Sequence, residues 1–523
     1  MTTLFRFSLL VAAVILAGSS FTRPRALADT PPADPNTIES LTPEQASALV
    51  AEFQGVKVRL EVEGLGSRTL QQCLTLNGLK SVDAETAKAL ASYDVGPIFL
   101  DGLTTLSTEA AVALVRHEGV LSLNGLNTLS DQAAKVLAQH KGMLLSLNGL
   151  TTLSDEAAKG LAGHRGGMLS LNGLTTLSDE AATALAQHRN VVVLHGLTTL
   201  SAAAARALAR SNSDWLLLNG LTMLSDEAAR ALATTRSGNL YLNGLTTVSG
   251  EAAKALGQRE RSVLSNLHFD GLTTLSAAAA QGLAAHRGGL LSLNGLTAVS
   301  DEAATALSQH TGRTLSLNGL TMLSDEAARA LARHKGRSLS LGGLTMLSKE
   351  TATALAEHEG SLTLDGLTEL SDEAARAIAR HTGSLSLNGL TRLSKAAVTA
   401  LAAHKNWLYL QGLTTLSAEM AEDLAAIDKW DGNLPKLTTI ESPDARAVAQ
   451  GLATRTGPLR LPNLRKISPQ TLTALIEKQD IVLPLIETLE FIPEPDGSGS
   501  EDFIIPGWLE ERQKQQRAAR TDQ

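Results

Sequence analysis

The strongest constraint on this chain is its similarity to itself. The stretch LSLNGLTTLSDEAAKGLAGHRG at residues 145–166 returns, little changed, from residue 74 to residue 413. The glycine of its Asn-Gly-Leu step, or the equivalent glycine, falls at 78, 102, 125, 149, 173, 196, 220, 244, 271, 295, 319, 343, 366, 389 and 412. Successive intervals are 23 or 24 residues, with one of 27 between Gly244 and Gly271. A fixed period in the twenties specifies a solenoid, because a single unit of that size cannot bury its own apolar face and must stack on its neighbours.

Within one unit, Leu145 and Leu147 flank Ser146, which suits a short strand with one face buried. Asn148-Gly149 is expected to turn the chain, since both residues tolerate positive φ. Leu153 anchors the turn, and Ser154 reads as an N-cap. Asp155 and Glu156 follow in the first helical turn, where the helix dipole favours anions. Ala157, Ala158, Leu161 and Ala162 give the helix a narrow face that can lie close to the strands. His164 and Arg165 read as C-terminal cations and Gly166 as the C-cap. Successive strands are expected to form one parallel sheet with helices outside. At about 4.8 Å per strand, fifteen strands trace an inner arc of about 70 Å.

The pattern L-x-L-x-G-L-x-x-L-S-D-E-A-A-x-A-L-A resembles a leucine-rich repeat. It is most similar to the cysteine-containing subtype, L-x-L-x-G-C-x-x-I-T-D-x-x-L-x-x-L-A. Leu147, Gly149, Leu153, Ser154, Asp155 and Leu161 fall on that pattern, and Leu150 stands where the subtype has its Cys. The resemblance covers about four-fifths of the chain. It implies an α/β horseshoe with a parallel β-sheet on the concave face and short α-helices on the convex face. It implies a binding role but no particular partner, because this fold hosts many unrelated ones.

Outside the array, residues 1–28 read as a signal peptide: Arg6, an apolar run at 7–17, and Ala26-Leu27-Ala28 as a cleavage site. Arg23 and Arg25 between run and site leave an uncleaved membrane anchor as the alternative. The expected localisation is exported: periplasmic, cell-surface or secreted. Residues 29–37 form a linker, and 38–73 a degenerate N-terminal capping repeat with a helix from Pro43 to Phe53 and a strand Leu60-Glu61-Val62-Glu63. The array occupies 74–433. Diverged repeats at 434–492, each with Pro in its strand, suit a C-terminal cap near a sheet edge, and 493–523 reads as a flexible tail. Cys73 is the only cysteine, so no internal disulfide forms and the residue reads as packing. Caps without cysteines, together with the signal peptide, favour a bacterial exported protein.

The chain has 45 basic and 53 acidic residues, and loss of Arg6, Arg23 and Arg25 with the leader leaves a net charge near −11. Such a charge does not suit phosphate backbones, so nucleic acid is not an expected partner. There is no H-E-x-x-H, G-x-S-x-G, phosphate loop, dinucleotide fingerprint or cysteine-based metal spacing, and neither an enzyme nor a cofactor is expected. Ten of the twelve histidines (117, 140, 164, 188, 286, 310, 334, 358, 381 and 404) recur near helix ends. They read as outer-face residues favoured by the dipole, too far apart for a tetrahedral metal site. A Thr recurs after the Gly-Leu step; it suits turn backbone better than a periodic ligand such as ice.

Single-copy departures are the informative residues. The strand position between the two leucines is Ser at 122, 146, 170, 292, 316, 340 and 386, but becomes Val193, Leu217, Tyr241 and His268 in four consecutive units. His195 and Trp215 lie beside them, and the 27-residue unit adds Arg259-Glu260-Arg261. A second break brings together Trp407, Tyr409 and Gln411. Two of three Tyr and two of four Trp fall at these inner-face positions, and exposed aromatics on a sheet are typical interface anchors. The expected function is therefore non-enzymatic recognition of a protein or cell-surface glycan through the concave sheet. The alternative is a structural, self-associating envelope protein with a passive surface. Membrane contact is expected only if the leader is retained.

Overall fold

The computed structural model describes residues 35–54, 57–62, 66–93, 96–259, 265–494 and 507–521. The expected leader at 1–28 and the pair Glu260 and Arg261 lie outside the described residues. The chain divides into two compact units. The first runs to Leu221 and takes in Thr235–Ser237; the second holds Thr222–Thr234 and continues from Gly238.

The first unit opens with the helix Pro43–Phe53, where Thr42 and Gln45 form a reciprocal capping box. A hairpin follows, Lys57–Val62 antiparallel to Gly66–Gln71. The strand expected at 60–63 is thus one arm of a hairpin and not a repeat strand. Among the described residues, seven parallel repeat strands then lie in this unit, from Leu74–Thr75 to Trp215–Leu217. Each of the first six is followed by a helix of seven or eight residues. The second unit carries eight such strands, from Asn239–Tyr241 to Leu408–Tyr409. Register is strict: Leu145 faces Leu169 and Ser146 faces Ser170 in one unit, Leu291 faces Leu315 and Ser292 faces Ser316 in the other.

Strict register places like on like. Leu145, Leu147, Leu150, Ala157, Ala158 and Leu161 are all fully buried, and the corresponding residues Leu291, Leu293, Leu296, Ala303, Ala304 and Leu307 are too. Helices this short are not stable alone; here Asp83 starts the first, a serine starts each of the others up to Ala418–Ala425, and each is pressed onto its neighbours. Ser154 Oγ accepts from Ala157 N at 3.0 Å and donates to Asp131 Oδ1 of the preceding helix at 2.5 Å. The same double use recurs at Ser178, Ser249 and Ser324. The first-turn aspartate therefore does more than meet the dipole; it ties one unit to the next.

The repeated glycines act differently from expectation. Among the described glycines only Gly432 has positive φ, at 68°. Gly149 is required by close approach instead: a Cβ there would lie 2.1 Å from Asn124 O and 2.6 Å from Leu126 O of the preceding unit. Nor is Gly166 the C-cap, which is Gly163. A Cβ at Gly166 would lie 2.3 Å from Gly142 O and 2.8 Å from the His164 ring.

Beyond the array, the second unit ends in short parallel strands. Thr439–Ile440, Lys466–Ile467 and Glu490–Phe491 form one sheet, and Leu459–Arg460 pairs with Ile481–Val482. The segment read as a flexible tail contains the helix Gly507–Thr521, which is seated on this end. Arg512 Nη1 donates to Gln479 O and Ile481 O, while Gln513 donates to Pro484 O and accepts from Ile486 N. Leu509 is buried beneath it. These bonds satisfy backbone groups beside the strand Ile481–Val482, where open edges invite pairing with other chains. Among the described residues no helix is long and apolar enough to cross a membrane.

Close approach makes a paired prediction. Gly149→Ala should lose about 2 kcal/mol or more, as backbone cannot yield to the new methyl. Gly163→Ala, whose Cβ would meet only Gly160 O at 3.3 Å, should be neutral or gain up to about 1 kcal/mol from reduced unfolded-state freedom. Urea midpoints of the two variants check this.

Candidate binding surfaces on the strand faces

The uniform part of the strand face is a hydrogen-bonded ladder. Asn124 Oδ1 accepts from Ser146 Oγ at 2.7 Å and from Asn148 N at 2.8 Å; Asn148 Nδ2 then returns a bond to Ser146 Oγ at 3.0 Å. The motif repeats through Ser170 and Asn172, and again through Ser316 and Asn318. Asp101, Asp270 and Asp365 replace the Asn and accept in the same way. The serines at 122, 146, 170, 292 and 316, read from sequence as surface residues, are buried; Ser146 is 3% exposed. Ser146 and Ser316 are flanked on both sides by copies of themselves.

The departures from Ser remove the hydroxyl rung. In the first unit Val193 faces Leu217, and both are buried, so neither offers an anchor to a partner. His195 keeps only the backbone bond, its N donating to Asn172 Oδ1 at 2.9 Å, and its ring is half-buried. Trp215 is half-buried at the start of its strand. In the second unit Tyr241 and His268 are cross-strand neighbours with rings stacked at 4.1 Å and 7°. Burial raises the Tyr241 pKa, with Asp270 adding to the shift, and lowers that of His268 against the opposing pull of Asp270. Residues read from sequence as one patch thus belong to two units: Val193, His195, Trp215 and Leu217 to the first, Tyr241 and His268 to the second. Arg259, among the residues that the 27-residue unit adds, is buried.

The second break holds together. Tyr409 pairs with Ser386 in register, and Trp407 is 45% exposed. Lys429 Nζ stands 5.6 Å from the centre of the Trp407 ring. Gln411 N donates to Asn388 Oδ1 at 3.0 Å, and Gln411 Nε2 to Asp431 Oδ2 at 2.7 Å. Burial raises the Asp431 pKa. Sequence reading missed Lys429 and Asp431 because the Gly-Leu step ends at Leu413 while the strand stacking continues: Leu408 bridges to Trp430. Trp430 is fully buried, and the Arg455 guanidinium lies 4.8 Å from its ring centre while donating to Trp430 O and Ile427 O.

The ten repeated histidines are not outer-face cations. All are buried, and within each unit they stack ring on ring, as at His164–His188 (5.5 Å) and His310–His334 (5.2 Å). The glycine two residues on makes room for each ring in the His-x-Gly units; a Cβ at Gly142 would lie 2.6 Å from the His140 ring. Burial, and then neighbouring imidazoles, push His140 and His310 down to about 3; His164 and His334 fall to about 4. These rings are neutral at pH 7. Among the described residues no group of three potential ligands suits a metal ion. The repeated threonines are exposed, and several cap turn backbone, as Thr414 Oγ1 does toward Thr391 O at 3.1 Å.

Parallel strands alternating with short helices, built on leucines at fixed positions in a unit of 23 or 24 residues, are leucine-rich-repeat architecture. No protein-family model matches the chain, and no curated protein matches it in sequence. Among solved structures it is similar to TLR13 in the TLR13–ssRNA13 complex, at 18% identity and TM-score 0.44, covering 78% of this chain and 61% of that one. It is also similar to the internalin InlF of Listeria monocytogenes, at 14% identity and TM-score 0.36, covering 72% and 93%. For InlJ of the same organism the values are 16%, 0.30, 68% and 76%.

The histidine file dictates a pH response. The folded values lie below the ordinary 6.5, so the unfolded chain binds more protons between about pH 6.5 and 4. Stability is full above 6.5 and lost as pH falls, each such histidine withdrawing on the order of 3 kcal/mol. The urea midpoint should drop steeply from pH 7 to 4. A His310→Gln/His334→Gln variant should show a shallower drop than wild type.

Proposed function

We propose that this protein is an exported, non-enzymatic leucine-rich-repeat scaffold that binds a protein partner through the strand face of its second unit, with Trp407 and Tyr409 as anchors. The observation that carries this reading is the exposure of Trp407, a large aromatic immediately before the strand Leu408–Tyr409. Around it stand the cation of Lys429 and the hydrogen-bonded pair Gln411–Asp431. An aromatic rimmed by polar groups that already satisfy one another loses little on desolvation and gains much on contact, which is the composition of an interface hot spot. The stacked pair Tyr241–His268 supplies a second, more buried platform in the same unit.

Recognition on such a face rests on shape complementarity, ring stacking and hydrogen bonds, with no bond made or broken. Export follows from the leader-like composition of residues 1–28.

The test is capture from a cell-surface extract of the source organism by wild type and by Trp407→Ala/Tyr409→Ala, with circular dichroism on both. A proteinaceous partner held by wild type and weakened about a hundredfold by the double variant, the loss of about two hot-spot contacts, supports the reading. Equal retention by the variant removes the anchors from the site. A captured species that is carbohydrate makes the face a glycan platform.

A further inference from the structure

The helix side of the first unit carries a groove of about 890 Å³ that repetition does not explain. It lies across the helices Thr108–Leu114, Asp131–Leu137 and Asp155–Ala162. Its apolar lining includes Val112, Val115 and Val136. At the first of these positions the next two units carry Lys135 and Lys159, and at the other two most units carry Ala. Val112 is 46% exposed, one of the few large apolar side chains so open to water.

The depression comes from missing side chains. Gly160 stands where most units have Ala, and Gly163 where the units on either side have Gln139 and Gln187. Close packing accounts for Gly160, whose Cβ would meet Lys135 N at 3.0 Å. It does not account for Gly163, which faces nothing nearer than Gly160 O at 3.3 Å.

Around this floor stand Arg116, Lys135, Lys141, Lys159 and Arg165, with Glu118 the only acid in the lining. Lys159 is held by Glu156 at 2.7 Å; among the described residues the other four cations have no ion pair. In a chain whose net charge is −8, this is a concentration of the minority charge over an apolar floor.

We propose that this groove is a second binding site, distinct from the strand face, and that it takes an acidic peptide segment of a partner protein. Carboxylates of the segment meet the cationic rim while its apolar side chains cover Val112, Val115 and Val136. A pure polyanion would use the rim and leave the valines wet. An apolar peptide would leave four cations facing its backbone. A segment bearing both groups matches the whole surface, and charge complementarity of this kind sets specificity and association rate.

Sister units supply substitutions that the fold already tolerates. Gly163→Gln fills the groove with the residue of the neighbouring units, and Lys141→Glu installs the residue that Glu118 represents one unit earlier. The probes are a fluorescein-labelled peptide of equal numbers of Glu and Leu, a polyglutamate of the same charge, and a heparin-type sulfated oligosaccharide. Anisotropy titrations use the full chain, with circular dichroism on each variant. The expected result is that the Glu/Leu peptide binds more tightly than polyglutamate, and that each substitution weakens it about tenfold. Three results would overturn the proposal. Wild type could fail to bind the Glu/Leu peptide, the affinities could be unchanged in folded variants, or either polyanion could bind at least as tightly as the peptide.

Discussion

The distance between one turn and the next is the constraint on which everything else in the array depends. With Asn124 O at 2.1 Å and Leu126 O at 2.6 Å from where a Cβ of Gly149 would stand, consecutive units touch through backbone. No side chain larger than hydrogen fits at Gly149 without moving that backbone. Once the backbones are this close, strands fall into register, leucines stack on leucines, and short helices that could not persist alone are held between two neighbours.

The same closeness makes polar groups behave as core. A serine hydroxyl that would be solvated on an ordinary sheet lies within 2.7 Å of the neighbouring Asn124 carbonyl oxygen, and N-cap serines reach the aspartate of the preceding helix. Imidazoles stack at 5.2 to 6.2 Å. Three ladders therefore run along the array beside the apolar core. The strand ladder is largely buried with its hydrogen bonds made, which makes its burial inexpensive; the cap ladder stays exposed, and the histidine file is buried at the cost of its charge. Two of the three change character together. Units that lack the strand serine, at 193, 217, 241 and 268, overlap those that carry Ser211, Thr235 and Arg259 in place of the histidine.

Much of this was legible in the residues and some was not. The leucine positions, the serine caps and the alternation of strand and helix follow from local periodicity, and they hold at Leu145, Leu147, Ser154 and Leu161. Misread were residues whose surroundings come from a neighbour two dozen positions away. Ser146 and His164 look like surface groups within one unit, yet each is covered by its own counterparts. Gly149 looked like a turn former because turn glycines are common, whereas the structure needs its missing side chain and not its φ. Of the candidate site, Trp407, Tyr409 and Gln411 were found because they break a pattern. Lys429 and Asp431 lie where the pattern has ended, and no periodicity points to them.

The strand ladder has a direction. Each carbonyl oxygen accepts from the unit that follows, so the first rung needs an acceptor and the last leaves groups to be met. Asn36 Oδ1 supplies the beginning by accepting from Asn77 N at 3.1 Å; Asp431 meets Gln411 at the other end. The two closures are chemically unlike and could not be exchanged. Most interior units, by contrast, present the same donors behind and the same acceptors ahead, as Asn124, Asn148 and Asn294 do. A gene built this way can gain or lose whole units by slippage during copying without remaking either terminus, so the reach of the array is free to drift while its ends stay fixed.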